Sequence, residues 1–218
     1  MFIDFFSTIA IVLGLLLAFV SMRVDRKAMR NKQYYEITLF LGSGGHTGEI
    51  VELLKGFNFD KVERINLLTA QKDNSSLNFF QKSLEKELGK EHFDKVMKKA
   101  KMLEIRRTNQ VKQSKISSIF PTFLSLLDGM RTIIMKLLST THFISTGPGT
   151  CVPLFYTFFL LKKLRMSRVK LIFFESWCRV VDLSLTGKLL RPIADNFIVH
   201  WPELALKYKN CKYLGQII

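Results

Sequence analysis

Residues 36–41 are a short β-branched and apolar run that stops at Gly42-Ser43-Gly44-Gly45-His46-Thr47-Gly48-Glu49. Apolar residues at helical spacing follow at once (Ile50, Val51, Leu53, Leu54), which predicts a helix over 47–57. A strand that passes straight into a helix can only pair with its next strand after a crossover, so the two strands lie parallel. The rest of the chain keeps this alternation. Strands are expected over 62–69, 102–106, 142–145, 170–174 and 196–200, with a short one over 211–214. Helices are expected over 76–100 with a break near Gly89, then over 116–138, 153–164 and 184–190. The predicted fold class is α/β, a Rossmann-like parallel sheet with helices on both faces, spanning residues 35–218.

A different kind of segment precedes this domain. Residues 5–20 read FFSTIAIVLGLLLAFV, without a charge. Extending the helix to 1–22 gives roughly 33 Å, enough for a thin bilayer of roughly 27 Å. Asp4 is the only charge before the run, whereas Arg23, Arg26, Lys27, Arg30 and Lys32 follow it. A signal peptide carries its positive charge on the other side. The segment is read as one N-terminal transmembrane helix (1–22) with a basic juxtamembrane stretch (23–34). The alternatives are a buried core helix or an uncleaved signal-like segment. The positive-inside rule puts the N-terminus on the lumenal side and residues 23–218 in the cytosol. The one sequon, Asn74-Ser75-Ser76, is inert in that topology.

Composition points to a membrane or to an anionic partner, and to a reducing compartment. The chain has 33 basic and 18 acidic side chains, a net charge of +15, yet 48% of its 218 residues are hydrophobic. High charge beside high hydropathy means that the two are segregated. Three cysteines, at 151, 178 and 211, cannot pair completely, and their spacing holds no zinc motif. Residues 82–115 contain 11 Lys or Arg against 5 acids. They are either a solvated helix face or a surface for anionic lipid or another subunit. Residues 152–164 are apolar nearly all round but too short to span a bilayer. They are either buried against the sheet or partly inserted at the headgroups.

The glycine turns carry the chemistry. In the first, Ser43, Gly44, Gly45 and Thr47 stand where a strand meets a helix start, whose free N–H groups and dipole attract an anion. The alternative is a purely structural turn. No Gly-Lys-[Ser/Thr] follows, so it is not a Walker loop. The dinucleotide fingerprint also fails, because the glycines at 42, 44 and 48 are spaced wrongly and the second strand ends in Thr69-Ala70-Gln71 without an acid for a ribose. A second turn, Ser145-Thr146-Gly147-Pro148-Gly149-Thr150, occupies an equivalent strand-to-helix junction. Ligands of such sheets bind beyond the carboxyl ends of the strands. Two anion-seeking turns on one edge suggest one ligand with two phosphates. Asp73 and Glu175 follow strands on that edge, and Glu175 is expected to project into the crevice. Arg179 would pair with Glu175 or with phosphate. His46, inside the first turn, is an acid–base candidate.

These residues resemble one family, the membrane-anchoring, acceptor-binding subunit of the UDP-N-acetylglucosamine transferase that adds the second sugar to dolichol diphosphate. The resemblance rests on the anchor with its basic stop, Gly-Ser-Gly-Gly-His-Thr at 42–47, and Asp73-x-x-Ser76. It continues through Gly147-Pro148-Gly149-Thr150-Cys151-Val152-Pro153, Glu175-Ser176-x-x-Arg179-Val180 and Leu183-Ser184-Leu185-Thr186-Gly187-Lys188. Ala194-Asp195, Trp201-Pro202 and Tyr213-Leu214-Gly215 complete it. This chain departs from the family at Gln71-Lys72, where a second acid is usual, and at His200, where Gln is commoner.

The resemblance implies the N-terminal half of a B-type glycosyltransferase fold, similar to the bacterial enzyme that makes the last lipid-linked peptidoglycan precursor. It implies a GlcNAc-diphosphodolichol acceptor held by Ser43, Gly44, Gly45, Thr47, Gly147, Pro148, Gly149, Thr150 and Arg179. A separate soluble subunit would bring UDP-GlcNAc, docking on Tyr213, Leu214, Gly215, Gln216, Ile217 and Ile218, because the chain stops where a linker to the donor half would begin. The acceptor 4-hydroxyl would attack the anomeric carbon with inversion, aided by His46, Asp73 or Glu175 as base. No metal, other cofactor or nucleic-acid partner is implied. The location would be the endoplasmic reticulum membrane, or the nuclear envelope continuous with it. Two other classes are weighed against this. A stand-alone nucleotide-binding enzyme would need a ribose-binding acid or motif, and a non-enzymatic tether would not need two glycine turns.

Overall fold

The structure, a computed structural model, describes residues 34–71, 73–105 and 128–215. Its strands are β1 (Tyr35–Leu41), β2 (Val62–Ala70), β3 (Ala100–Ile105), β4 (His142–Ser145), β5 (Lys170–Phe174), β6 (Asn196–Val199) and β7 (Cys211–Tyr213). All pair in parallel in one sheet of order β3-β2-β1-β4-β5-β6-β7. The chain winds outward from β1 to β3, then returns to the other side of β1 and winds outward again. The reversal lies between β1 and β4, where Leu39 is in register with Ile144. That switch point leaves a crevice at the carboxyl edge, because the loops leaving the two strands turn to opposite faces.

The helices are α1 (Gly45–Lys55), α2 (Asn74–Lys99), α3 (Val152–Lys163), α4 (Leu185–Leu190) and α5 (Pro202–Lys207). Residues 128–137 are also helical, with a last turn, Ile133–Leu137, of π type. Alternation along the strands sends successive side chains to opposite faces. Leu39, Leu41, Ile65, Leu67 and Ile144 pack with Ile50, Val51 and Leu54 of α1 and Phe80 and Leu84 of α2. Phe40, Phe143, Phe173 and Phe197 face the other way, toward Ile133, Leu137 and the Leu154, Phe155 and Phe158 of α3. The rings form a connected chain, with centroids 4.9 Å apart for Phe143–Phe155, 5.1 Å for Phe143–Phe158 and 5.2 Å for Phe173–Phe197. Many of the 19 phenylalanines are spent here, on one of the two cores.

The expected elements are present with small shifts at their ends. Gly89 (φ +75°) breaks α2, as its position predicts. Only the end of the helix expected over 116–138 falls among the described residues. The anchor at 1–22 and positions 23–33 of the basic stretch lie outside them. Among the described residues no helix is long and apolar enough to cross a membrane. On α2 and β3, Lys82, Lys86, Lys90, Lys95, Lys98 and Lys101 are exposed, in keeping with a solvated face. For 152–164 neither reading holds alone. Leu154, Phe155, Thr157, Phe158 and Leu161 are buried, whereas Tyr156, Leu160 and Leu164 form an exposed apolar stripe.

Phe155→Ala removes a fully buried ring that touches both Phe143 and Phe173. It is expected to cost about 3–5 kcal/mol of stability, read from denaturant unfolding of the detergent-solubilised chain.

Candidate functional site

The site is built where β1 and β4 end. After β1 the chain turns at Gly44 (φ +64°) into α1, whose N-terminus carries no side-chain cap. Of its first-turn N–H groups, that of Thr47 donates to the Gly44 carbonyl at 3.2 Å, which leaves those of Gly45 and His46 for a ligand or water. After β4, Gly147 (φ +124°) leads into a 3-10 turn, Gly149–Cys151, and then α3, again with no side-chain cap at either start. Both glycines hold backbone conformations that L side chains rarely adopt.

The two turns are stitched together. Thr146 Oγ1 donates to the His46 carbonyl at 3.0 Å, Thr47 Oγ1 donates to the Gly42 carbonyl, and Ser76 Oγ shares its one proton between that carbonyl at 3.2 Å and Asp73 Oδ2 at 2.8 Å. Ser145 Oγ donates to the Gly147 carbonyl at 2.9 Å. The fit leaves no room for side chains. A Cβ on Gly42 would lie 2.3 Å from Pro148 Cδ, and one on Gly147 would lie 2.7 Å from His46 Cε1. The imidazole thus rests on the bare α-carbon of the second turn.

Beside this junction is a crevice of about 420 Å3. Its polar lining comes from Gly42, Ser43, Asp73, Gly149, Thr150 and Thr186, and its apolar lining from Val152, Pro153, Leu185 and Leu189, together with Phe40, Leu41 and Ala70 at the strand ends. Thr150 Oγ1 is a buried hydroxyl without a hydrogen-bond partner among the described residues. Such a group is costly unless a ligand or water meets it. The apolar side continues outward. Leu185 is 75% exposed and Leu189 is also exposed, next to the α3 stripe, and Tyr156 Oη bridges to the Leu189 carbonyl at 3.2 Å. One side of the crevice suits an anion, the other a hydrocarbon.

The expected site residues divide. Ser43, Pro148, Gly149 and Thr150 line the crevice, while Gly44, Gly45, Thr47 and Gly147 form the turns around it. Asp73 also lines it, but its carboxylate caps α2, accepting from Ser76 N at 3.1 Å, Ser76 Oγ at 2.8 Å and Ser75 Oγ at 2.7 Å. Glu175 does not project into the crevice as expected. It is 1% exposed and accepts from Ser176 N at 3.1 Å, Ser184 N at 3.0 Å and Ser184 Oγ at 3.2 Å, so it ties β5 to the start of α4. Burial pushes its carboxyl above the usual range, against the pull of those donors and the charge of Arg179. Arg179 itself is exposed on the loop after β5. Tyr213 and Leu214 are exposed at the end of the edge strand β7. Gly215 follows them, and Gln216, Ile217 and Ile218 lie outside the described residues.

Two residues were given no site role in the sequence. Glu49 Oε2 lies 3.4 Å from His46 Nδ1, while its Oε1 accepts from Ser176 Oγ at 2.6 Å and Trp177 N at 3.1 Å. Burial raises the Glu49 carboxyl, yet its bonds to His46, Ser176 and Trp177 together hold it below the usual value. The available signal was its spacing, one helical turn after His46. His200 is 1% exposed and burial lowers its pKa, so it is neutral; it packs near Trp177, which in turn packs on Trp201.

Gly147→Ala and Gly45→Ala are expected to differ sharply. The first meets the imidazole in a strained backbone and should cost about 1–3 kcal/mol, whereas the second adds a methyl in open space within a helix and should be neutral or stabilising by up to about 1 kcal/mol. Denaturant midpoints of the two variants check this.

A family model described as "Oligosaccharide biosynthesis protein Alg14 like" matches residues 37–217. The "UDP-N-acetylglucosamine transferase subunit ALG14" of Debaryomyces hansenii is 37% identical over 182 residues, covering 84% of this chain and 76% of that protein. The Schizosaccharomyces pombe protein of the same description is 33% identical over 214 residues, with 96% of each chain covered. The Homo sapiens one is 33% identical over 187 residues, with 86% and 85% covered. No solved structure gives a significant match. The resemblance carried by the two glycine turns and the motifs around them is borne out over nearly the whole α/β domain, and the chain belongs to the family of Alg14-like oligosaccharide biosynthesis proteins.

Proposed function

We propose that the chain is the lipid-acceptor-binding, membrane-anchoring subunit of a heteromeric UDP-N-acetylglucosamine transferase, acting on GlcNAc-diphosphodolichol at the endoplasmic reticulum membrane. The relatives are subunits of a UDP-N-acetylglucosamine transferase by description, which supports the reaction and the need for further subunits. The observation that carries the acceptor role is the two-sided crevice. Two uncapped helix starts meet at its polar side, and Leu185, Leu189, Val152 and Pro153 form the other. A diphosphate joined to a polyprenyl chain has that same division. The N–H groups at Gly44, Gly45 and Gly149 hold the phosphates, with Ser43 and Thr150 as hydroxyl donors and Arg179 at the rim. The exposed stripe of Tyr156, Leu160 and Leu164 lies against the headgroup region and leads the hydrocarbon in. The apolar run at 1–22 secures the chain to the bilayer, with its N-terminus lumenal and the α/β domain cytosolic.

The chain lacks a dinucleotide fingerprint, so a soluble subunit supplies UDP-GlcNAc across the carboxyl edge, contacting the segment from Tyr213 to Ile218. The acceptor 4-hydroxyl attacks the anomeric carbon in one inverting displacement. Its proton passes to a base as the bond to UDP breaks. His46 stands beside the crevice rather than in its lining, but of the three candidates it is the one not committed to a helix start, because Asp73 caps α2 and Glu175 holds the start of α4. Holding both substrates across one cleft supplies the proximity contribution.

The test is transfer from UDP-GlcNAc to a GlcNAc-diphospho-lipid by this chain alone, by the donor-binding subunit alone, and by the two mixed. Turnover in the mixture only is expected; full turnover by this chain alone overturns the proposal. In the mixture His46→Ala should slow kcat by about 10²–10⁴-fold with membrane attachment and assembly intact. Gly45→Ala should raise acceptor KM in a chain that is no less stable.

A further inference from the structure

We infer that Glu49 is the positioning residue of the transfer reaction, holding His46 by Nδ1 so that Nε2 is the nitrogen presented to the acceptor hydroxyl. This rests on the reading of His46 as the base. The two side chains leave the same helix one turn apart, and Oε2 of the carboxylate lies 3.4 Å from Nδ1. The carboxylate cannot swing away. Its other oxygen accepts from Ser176 Oγ at 2.6 Å and Trp177 N at 3.1 Å, both from the loop after β5. The ring is held from its other side, where Cε1 rests over the bare α-carbon of Gly147. Glu49 is only 11% exposed and His46 is 31% exposed, so the pair is sheltered at the carboxylate and open at the imidazole.

The chemistry follows from that clamp. A carboxylate facing Nδ1 keeps the proton on that nitrogen and the lone pair on Nε2. During transfer the hydroxyl proton moves to Nε2 as oxygen bonds to the anomeric carbon and UDP leaves with the electron pair. The imidazolium so formed lies against the Glu49 carboxylate until it returns the proton to water. Burial raises the Glu49 carboxyl, but its three donors outweigh burial and favour the ionised form this role needs. The other titratable groups facing the pair are His200 at the end of β6, buried and neutral, and Glu175 at the end of β5, with Arg179 beyond it. Glu175 is held on Ser176 and Ser184, so Glu49 is the carboxylate that reaches His46.

A tie between α1 and the loop after β5 would also explain Glu49, and a double-mutant cycle separates the two roles. Full-length chain, assembled with its donor-binding partner, is assayed as wild type, His46→Ala, Glu49→Gln and the double variant. Gln keeps an oxygen for Ser176 and Trp177 but loses the charge. Glu49→Gln is expected to lower kcat about 10- to 100-fold with acceptor KM within about 3-fold of wild type. In the His46→Ala background the same change should cost less than about 2-fold. Ser176→Ala, which loosens the carboxylate without touching either titratable group, gives a second cycle, with a loss of about 3- to 10-fold seen only when His46 is present. Equal losses with and without His46, an effect on KM alone, or wild-type kcat for Glu49→Gln overturns the inference. Wild-type kcat for His46→Ala overturns the underlying reading as well, so the two failures are distinct.

Discussion

The site depends on how closely the backbone turns leaving β1 and β4 approach each other. Pro148 packs against Gly42 and the His46 ring against Gly147, at distances that a single added methyl would violate. Thr146 fixes the contact by donating to the His46 carbonyl of the first turn. Because the strands are adjacent and parallel, both helix starts stand at the same edge of the sheet, and neither carries a side-chain cap. Were the turns a few ångströms apart, each would be a weak anion site. Held together they form one junction at the carboxyl edge, the place proposed above for the diphosphate.

The second organising theme is the division of α3. Its inner face completes the phenylalanine core, and its outer face is apolar but exposed. A soluble domain normally shows charge there. Here the stripe of Tyr156, Leu160 and Leu164 adjoins Leu185 and Leu189, and that surface runs into the apolar side of the crevice. The basic side chains Lys162, Lys163 and Arg165 cluster at the far end of the helix. Segregated charge and hydropathy, legible in the composition, thus become a spatial arrangement on one helix and its neighbour.

Carboxylates mark where sequence reading stops. Asp73, Glu175 and Glu49 all stand near the carboxyl edge, and nothing in residue type distinguishes them. Their roles follow from the donors each one meets. Asp73 meets the first turn of α2, Glu175 the first turn of α4, and Glu49 a serine 127 positions away beside the imidazole of its own helix. A carboxylate with three donors and no solvent is a bracket. One clamped on a single oxygen, with the other facing an exposed imidazole, is placed for chemistry.

The sequence by itself determined the alternation of strands and helices, the break at Gly89 and the two glycine turns, because these depend on side-chain periodicity and on the conformations a residue permits. Its motifs also determined the family. Only the tertiary structure decided which face of α3 is covered, that Glu175 is buried and that Ser176 and Trp177 hold the Glu49 carboxylate. Those outcomes come from packing between segments far apart in the chain, and local pattern carries no information about distances between such segments.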